Sequence, residues 1–389
     1  MKPLAITGAG VVSTLGVGRA ELVEALRSGA RAPGRIGRAE TFDASTYPRV
    51  RIAEVPGFDA AKYLGDKGLR SLDRLTKLLV VATRLALQDA GLKKDGGWTA
   101  GSPDRVGMVV SNSYGSLEAI TELDRVATLE DARYINPSRF PLTVSNSAAG
   151  YASIWEDLRA LNVTVSDGGA GALDAVACAN LFLEQERADA LLVGGFEAMC
   201  EALAFAFDRL GAVSETSCLG EGAAILAVEP LDVARARDAR VLATVCGFGT
   251  AFLPPRRETT LIHASSEAVS RAIASALVDA NVAAGEIDLV VSSVSGLRTF
   301  DDAEMLAIGR VLGEKACVVA PKLALGETLG ASGAMGMLAA TAWLGKAASD
   351  CRDTPVLRGA LRAEARTALV TSTGYYGNAS ALVMRHPSG

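Results

Sequence analysis

Asn162–Met199 reads NVTVSDGGAGALDAVACANLFLEQERADALLVGGFEAM, and the fold turns on this stretch. VTV is short and β-branched, as a strand would be. SDGGAGA is a turn of glycine and small residues. LDAVACANLFLEQE has apolar residues at helical spacing, and ALLVGG reads as a buried strand stopping at its glycines. A strand that turns tightly into a helix is how several enzyme families present a nucleophile. The turn here offers Asp167, Gly168, Gly169, Ala170, Gly171 and Ala172, an elbow with no nucleophile at its tip. Gly168, Gly169 and Gly171 permit positive φ and close packing there. Asp167, the ionisable residue of the turn, reads as an acid favoured by a helix N-terminus.

The composition sets the class. The chain has 389 residues, 49% hydrophobic, with 40 glycines and 5% aromatics. That suits a large α/β core filled by small side chains. A net charge of -5 argues against nucleic acid or an anionic membrane as partner. No apolar run approaches the ~20 residues of a membrane span. MKPLAITGAG runs straight into a strand-like segment without a signal-peptide pattern, so a reducing cytosol is the expected compartment. Six scattered cysteines make no C-x-x-C pair, so neither disulfides nor structural zinc are expected. The two histidines, His263 and His386, are not placed as acid–base or metal-binding groups: one precedes a helix-like run, the other is three residues from the C-terminus.

Outward from the elbow, the chain repeats itself. PLAITGAGVVSTLGVG (3–18) reads as strand, glycine turn and helix, and Gly8 and Gly10 resemble the start of a dinucleotide fingerprint. Ser13 stands where the third glycine belongs, and no acid closes a second strand, so that motif is incomplete. Residues 31–56 look like irregular surface. Asp73–Ala90 reads as a helix, DRVGMVVSNSYGSLEAI as strand, turn and helix, and a further helix begins near Ser147. RVLATVCGFGT then restarts the order with a strand and a glycine turn. A helix follows at Ser265–Ala280, EIDLVVSSVSG parallels DRVGMVVSNSYG, and PKLALGETLGASGAMGMLAATAWL parallels the opening stretch. Two similar α/β halves, 1–239 and 240–389, imply one layered core with a pseudo-twofold.

Several blocks, in order, resemble β-ketoacyl synthases: GAGVVSTLG, NPSRFPLTVSNSAAGYAS, ADALLVGGFEAM, LGEGAAILAVE, DDAEMLAI, PKLALGETLGASGA and GYYGNASALVM. The resemblance spans nearly the whole chain. It implies the thiolase-like fold, a five-layer αβαβα arrangement of two similar halves, and no cofactor or metal. The family's chemistry uses a cysteine that accepts an acyl chain from an acyl carrier protein, and two histidines that promote decarboxylation of the extender. The cysteine position falls on Gly169. Ser295 best matches the first histidine and Glu327 stands at the second. Lys322 matches the family's lysine, and Gly336 replaces a glutamate. Glycine cannot be acylated, and an ionised Glu327 would repel a developing enolate.

The resemblance therefore points to the non-catalytic branch: the chain-length factor, or ketosynthase β subunit, of type II polyketide synthases. AGALDAVA (170–177) is especially like that branch, although Gly169 stands where Gln is often found. A compact, histidine-poor β subunit further suggests the aryl polyene type. Such a subunit pairs with an active ketosynthase as a heterodimer, shapes the tunnel in which the chain grows, and meets the acyl carrier protein at most indirectly. Phe140, Leu142 and Thr143 are the expected tunnel or interface residues, with core packing as the other reading of Phe140. Tyr375 and Tyr376 occupy the family's gate-like loop, where a structural plug is expected. Arg256 and Arg257 could meet acids of a partner or belong to a solvated loop. Two rival functions stay open: other chemistry on this fold, such as malonyl-carrier decarboxylation through Asp167, Ser295 and Glu327, and a nucleotide-dependent oxidoreductase built on Gly8 and Gly10.

Overall fold

The computed structural model describes the whole chain except residues 212–216, 256–261, 346–350, 352, 355, 363 and 388–389. Arg256 and Arg257 lie outside the described residues. In chain order, the first half contains β1 (Leu4–Ser13), α1 (Arg74–Asp89), β2 (Val106–Ser111), α2 (Leu117–Val126), α3 (Ser147–Glu156), β3 (Asn162–Val165), α4 (Gly171–Glu184), β4 (Ala190–Glu197), α5 (Glu201–Leu210) and β5 (Gly222–Pro230). The second half contains β6 (Ala243–Phe252), α6 (Ser266–Ala280), β7 (Leu289–Val291), α7 (Arg298–Leu312), β8 (Val318–Val319), α8 (Ser332–Trp343), β9 (Thr367–Thr373) and β10 (Asn378–Arg385).

The first half's strands lie side by side as β3-β2-β4-β5-β1, and the second half's as β8-β7-β9-β10-β6. Position by position this is one order used twice. The senses repeat as well: β2 is parallel to β3 and β4, as β7 is to β8 and β9. The last two pairings of each set are antiparallel. Leu4–Ile6 of β1 pairs with Ala243–Val245 of β6 and joins the sets edge to edge.

Successive residues of a strand point to opposite faces, and the core uses both. In β4, Leu191 and Val193 face a central core with α4 and α8, which bring Leu173, Val176, Met335 and Leu338. Leu192 and Phe196 of the same strand face an outer core with Leu78 and Leu79 of α1. A second outer core holds Ile273 and Leu277 of α6 against Val290, Leu369 and Val383. Helix, sheet, helix pair, sheet, helix is the five-layer αβαβα fold. Strands covered on both faces explain the unbroken apolar runs of the sequence.

Helix starts follow local chemistry. Asp73 caps α1 by accepting from the Thr76 amide at 2.8 Å, and Ser265 caps α6 by accepting from the Ala268 amide at 3.2 Å. Three local readings need correction. Gly8 and Gly10 lie inside a ten-residue strand, not in a turn. A Cβ on Gly8 would come within 2.3 Å of the Ala90 amide nitrogen, and one on Gly10 within 2.0 Å of the Ala82 carbonyl, so these glycines let α1 pack onto β1. Gly247 and Gly249 do the same for α6 on β6, where a glycine turn was expected. A nucleotide turn is absent because the backbone continues extended through both sites. Likewise β4 does not stop at Gly194 and Gly195 but runs on to Glu197. Residues 31–56 are not all surface: Arg35–Ile36 and Arg51–Ala53 form a small sheet with Leu219–Gly220, and Val50, Ile52 and Val55 are buried.

Candidate functional site

β3 leads through Gly168–Ala170, a single 3₁₀ turn, into α4. Gly168 has φ +58, a conformation that favours glycine. Gly169 at the tip is buried, and its carbonyl accepts from the Ser372 hydroxyl at 2.7 Å. A Cβ on Gly169 would stand 2.5 Å from the Thr373 carbonyl oxygen. The elbow therefore lacks a side chain and also the room for one. The ring of Tyr375 lies 3.3 Å from where a Gly168 Cβ would be and meets Phe300 edge-on at a centroid separation of 5.5 Å. Asn378 Nδ2 donates to the Asp167 carbonyl at 3.3 Å, tying the start of β10 to the elbow.

Beside this elbow lies a buried ion pair. Lys322 Nζ is 2.8 Å from Glu327 Oε2 and 3.2 Å from Ser332 Oγ. The other carboxylate oxygen of Glu327 accepts from the Leu329 amide and the Ser332 hydroxyl, both at 2.9 Å. Lys322 is 4% exposed and Glu327 1%, so neither charge is solvated. Burial opposes ionisation of Glu327, but Lys322, the Ser295 side chain and the Leu329 amide outweigh it and hold its carboxyl below the usual value. Ser295 is buried too; its amide donates to Asp301 at 3.0 Å and its carbonyl accepts from the Ser217 hydroxyl. Burial, with Glu327 next, pushes the Tyr375 phenol well above its ordinary value. Gly336 packs in α8, where a Cβ would already be 3.0 Å from Val370.

Gly169, Ser295, Lys322, Glu327 and Tyr375 are thus brought to one place, with Tyr375 bridging elbow and carboxylate. Tyr376 is 48% exposed. Leu142 is buried, Thr143 is half-buried, and its hydroxyl donates to the Phe140 carbonyl at 2.8 Å. Phe140 is 66% exposed, which removes the core-packing reading of this residue. It stands on a surface turn, Pro137–Thr143, with Arg139 paired to Glu122. That turn borders a cavity of about 640 Å³ reaching α2 and α5.

Asp167 does not cap the helix through its side chain. It is paired instead with Asp174, whose carboxyl is pushed up to about 7 by burial and then by Asp167, against hydrogen bonds from Ser380 and Thr250. Glu197 and Glu304 are among the buried acids that escaped the sequence reading. Glu197 closes β4, accepts from the Ser113 amide at 2.7 Å and the Gly330 amide at 3.2 Å, and burial pushes its carboxyl up to about 7. Glu304 accepts from the Ser293 amide at 2.9 Å, the Ser293 hydroxyl at 2.8 Å and Thr371 at 2.5 Å, and burial raises it too. An acid ending an otherwise apolar strand was the available signal for Glu197. Cys200, Cys218, Cys317 and Cys351 are buried, and none of the six cysteines is in a disulfide. Burial pushes the Cys200, Cys218 and Cys317 thiols up to about 11, so they are not nucleophiles at neutral pH. Among the described residues, no cluster of three or more His, Cys, Asp or Glu could hold a metal ion, and no helix is long and apolar enough to cross a membrane.

The duplicated five-layer fold with an elbow at the sheet ends defines a ketosynthase-like protein. The chain belongs to the β-ketoacyl synthase family: residues 1–234 match its N-terminal domain and residues 242–348 its C-terminal domain. A Streptomyces coelicolor protein described as a polyketide β-ketoacyl synthase 2 is 32% identical over 413 residues, covering 98% of this chain and 94% of that one. The 3-oxoacyl-[acyl-carrier-protein] synthase 2 of Coxiella burnetii is 29% identical over 351 residues, covering 85% and 83%. Among solved structures, the ishigamide ketosynthase/chain length factor matches with a TM-score of 0.87 at 26% identity, covering 99% of each chain.

Proposed function

We propose that this chain is a non-catalytic chain-length factor, a ketosynthase β subunit that pairs with an active ketosynthase in type II polyketide biosynthesis of the aryl polyene type. One observation carries the reading: the elbow tip is Gly169, with the Thr373 carbonyl 2.5 Å from where a Cβ would begin. No thioester can form on glycine, and a bare Cβ is already too large for the space. The second half of the chemistry is blocked as well. Glu327 is ionised and matched by Lys322, so it is neither a free base nor a donor for an enolate. This opposes malonyl-carrier decarboxylation at the same place.

The surface supports a partner. β3 ends the strand order and leaves an open edge. Nearby elements in sequence expose Tyr134, Phe140, Val144 and Ile154, apolar side chains that an isolated domain would normally cover. The turn bearing Phe140 then reaches the partner's tunnel, and the acyl carrier protein engages mainly the ketosynthase.

The test is co-expression with a ketosynthase, followed by intact mass of both chains under acyl-carrier substrate. The ketosynthase should carry the acyl adduct and this chain none. Gly169→Cys should not restore acylation, and overpacking should destabilise the fold by about 1–3 kcal/mol. An adduct on the unaltered chain by itself would refute the proposal. In the pair, Phe140→Ala should lengthen the product; an unchanged length would clear Phe140 of a tunnel role.

A further inference from the structure

The two halves are built alike but covered differently. In the second half, Val356–Arg358 adds an antiparallel strand outside β8 and closes that edge. The chain just before it reaches α8: Trp343 Nε1 donates to Thr354 Oγ1 at 3.0 Å, and every residue of α8 except Thr341 is buried. Among the described residues the first half has no counterpart. There β3 ends the sheet, and α4 packs on β2, β3 and β4 with α8 beside it. The remaining face of α4 is open. Asp174, Cys178 and Leu181, at i, i+4 and i+7, share that face; the first two are half-buried and Leu181 is 59% exposed.

A proton belongs to this face. The Asp167 and Asp174 carboxyls are hydrogen-bonded to each other, which two carboxyl groups can do only if one keeps its proton. The Ser380 hydroxyl of β10 donates to Asp174 Oδ1 at 2.5 Å and lies 3.1 Å from Thr250 Oγ1 of β6. Of the elements around the pair, β2, β3, β6, α8 and the Leu329–Ala331 turn carry no Asp, Glu, His, Lys or Arg. Glu197 of β4 is held by the Ser113 and Gly330 amides, and Arg385 is at the far end of β10 from Ser380. Burial first, and Asp167 after it, raises the Asp174 carboxyl to about 7, so the proton exchanges near neutral pH.

Resting on the proposed function, we propose that the open face of α4 lies in the seam with the ketosynthase, and that the Asp167–Asp174 pair makes this association proton-dependent. The partner gives α4 and β3 the cover that Thr354 and Val356–Arg358 give α8 and β8. Covering the face strips water from the pair and favours its neutral, proton-sharing form over two carboxylates. Where the free chain has lost the proton, association must take one up. The complex is therefore tight below the titration of the pair and weaker as pH rises through it.

The experiment measures the dissociation constant of the full chain for its ketosynthase between about pH 6 and about pH 8.5. The native pair should weaken by about tenfold across that range, the change one linked proton allows per pH unit beyond its titration. Asp174→Asn, whose amide still accepts from Ser380 and can donate to Asp167, should bind tightly with no such slope. Equal slopes for the native chain and Asp174→Asn overturn the switch. Leu181→Arg, on the same face and exposed in the free chain, should weaken the pair by about tenfold or more at every pH; unchanged affinity removes α4 from the seam and overturns the proposal. A native chain that pairs with no ketosynthase at any pH overturns the proposed function and this proposal with it, whereas a pair that forms and ignores pH overturns this proposal alone.

Discussion

At Lys322 and Glu327 the fold holds a full ion pair with almost no water around it. Such a pair adds little net stability, yet removing one partner strands the other charge, a loss of about 3–5 kcal/mol. Lys322→Met should therefore lower the midpoint of denaturant unfolding sharply. Lys322→Met with Glu327→Met should recover much of that loss. A single variant as stable as the parent would show that the pair is not closed in the way described. The same residues explain the chemical silence of the site. Ser295 and Lys322 lean on Glu327, and Tyr375 is lodged between it and the elbow glycines.

Among the strands β1 to β10, β3 is the one with no buried residue. The Leu161 and Val165 carbonyls accept from the Met108 and Asn112 amides of the β2 side. In a parallel pairing a residue directs both backbone groups the same way, so by alternation Thr164 directs its amide to the open edge. Thr164→Pro thus removes an outward donor without breaking a ladder bond to β2. The expected result is an unfolding temperature close to the parent's and loss of co-purification with the ketosynthase on size exclusion. Retained pairing would exclude the β3 edge as the seam. Elements were also the best-read scale in the sequence. The helices beginning near Asp73 and Ser265 and the runs of β2 and β4 were legible because local chemistry sets them. Gly8, Gly10, Gly247 and Gly249 were misread as turns, because a glycine admitting a neighbouring helix looks, in one dimension, like a glycine that bends the chain.

For the molecule as a whole, the buried acids set the response to pH. Glu197 rises from 4.5 to about 7 and Asp174 from 3.8 to about 7, so the folded state keeps their protons longer than the unfolded chain does. Stability from these groups is full below the unfolded values and is lost as pH climbs toward 7. Glu327 is shifted the other way: its contribution is present above 4.5 and is lost as pH falls through its lowered folded value. Glu197→Gln, whose amide oxygen can still accept from Ser113 and Gly330, should flatten the decline between pH 4.5 and 7 by on the order of 3 kcal/mol. An unfolding temperature that varies with pH just as the parent's does would contradict this.

The sequence by itself determined the layered α/β class, the repeat of strands and helices, and a glycine at the elbow, since periodicity and residue identity are local properties. Tertiary structure decided what those residues meet. That Thr373 closes the space above Gly169, that Phe140 faces outward and that Glu197 lies beside Gly330 all depend on segments far apart in the chain. Such contacts arise when the layers stack, and no spacing along the chain encodes them.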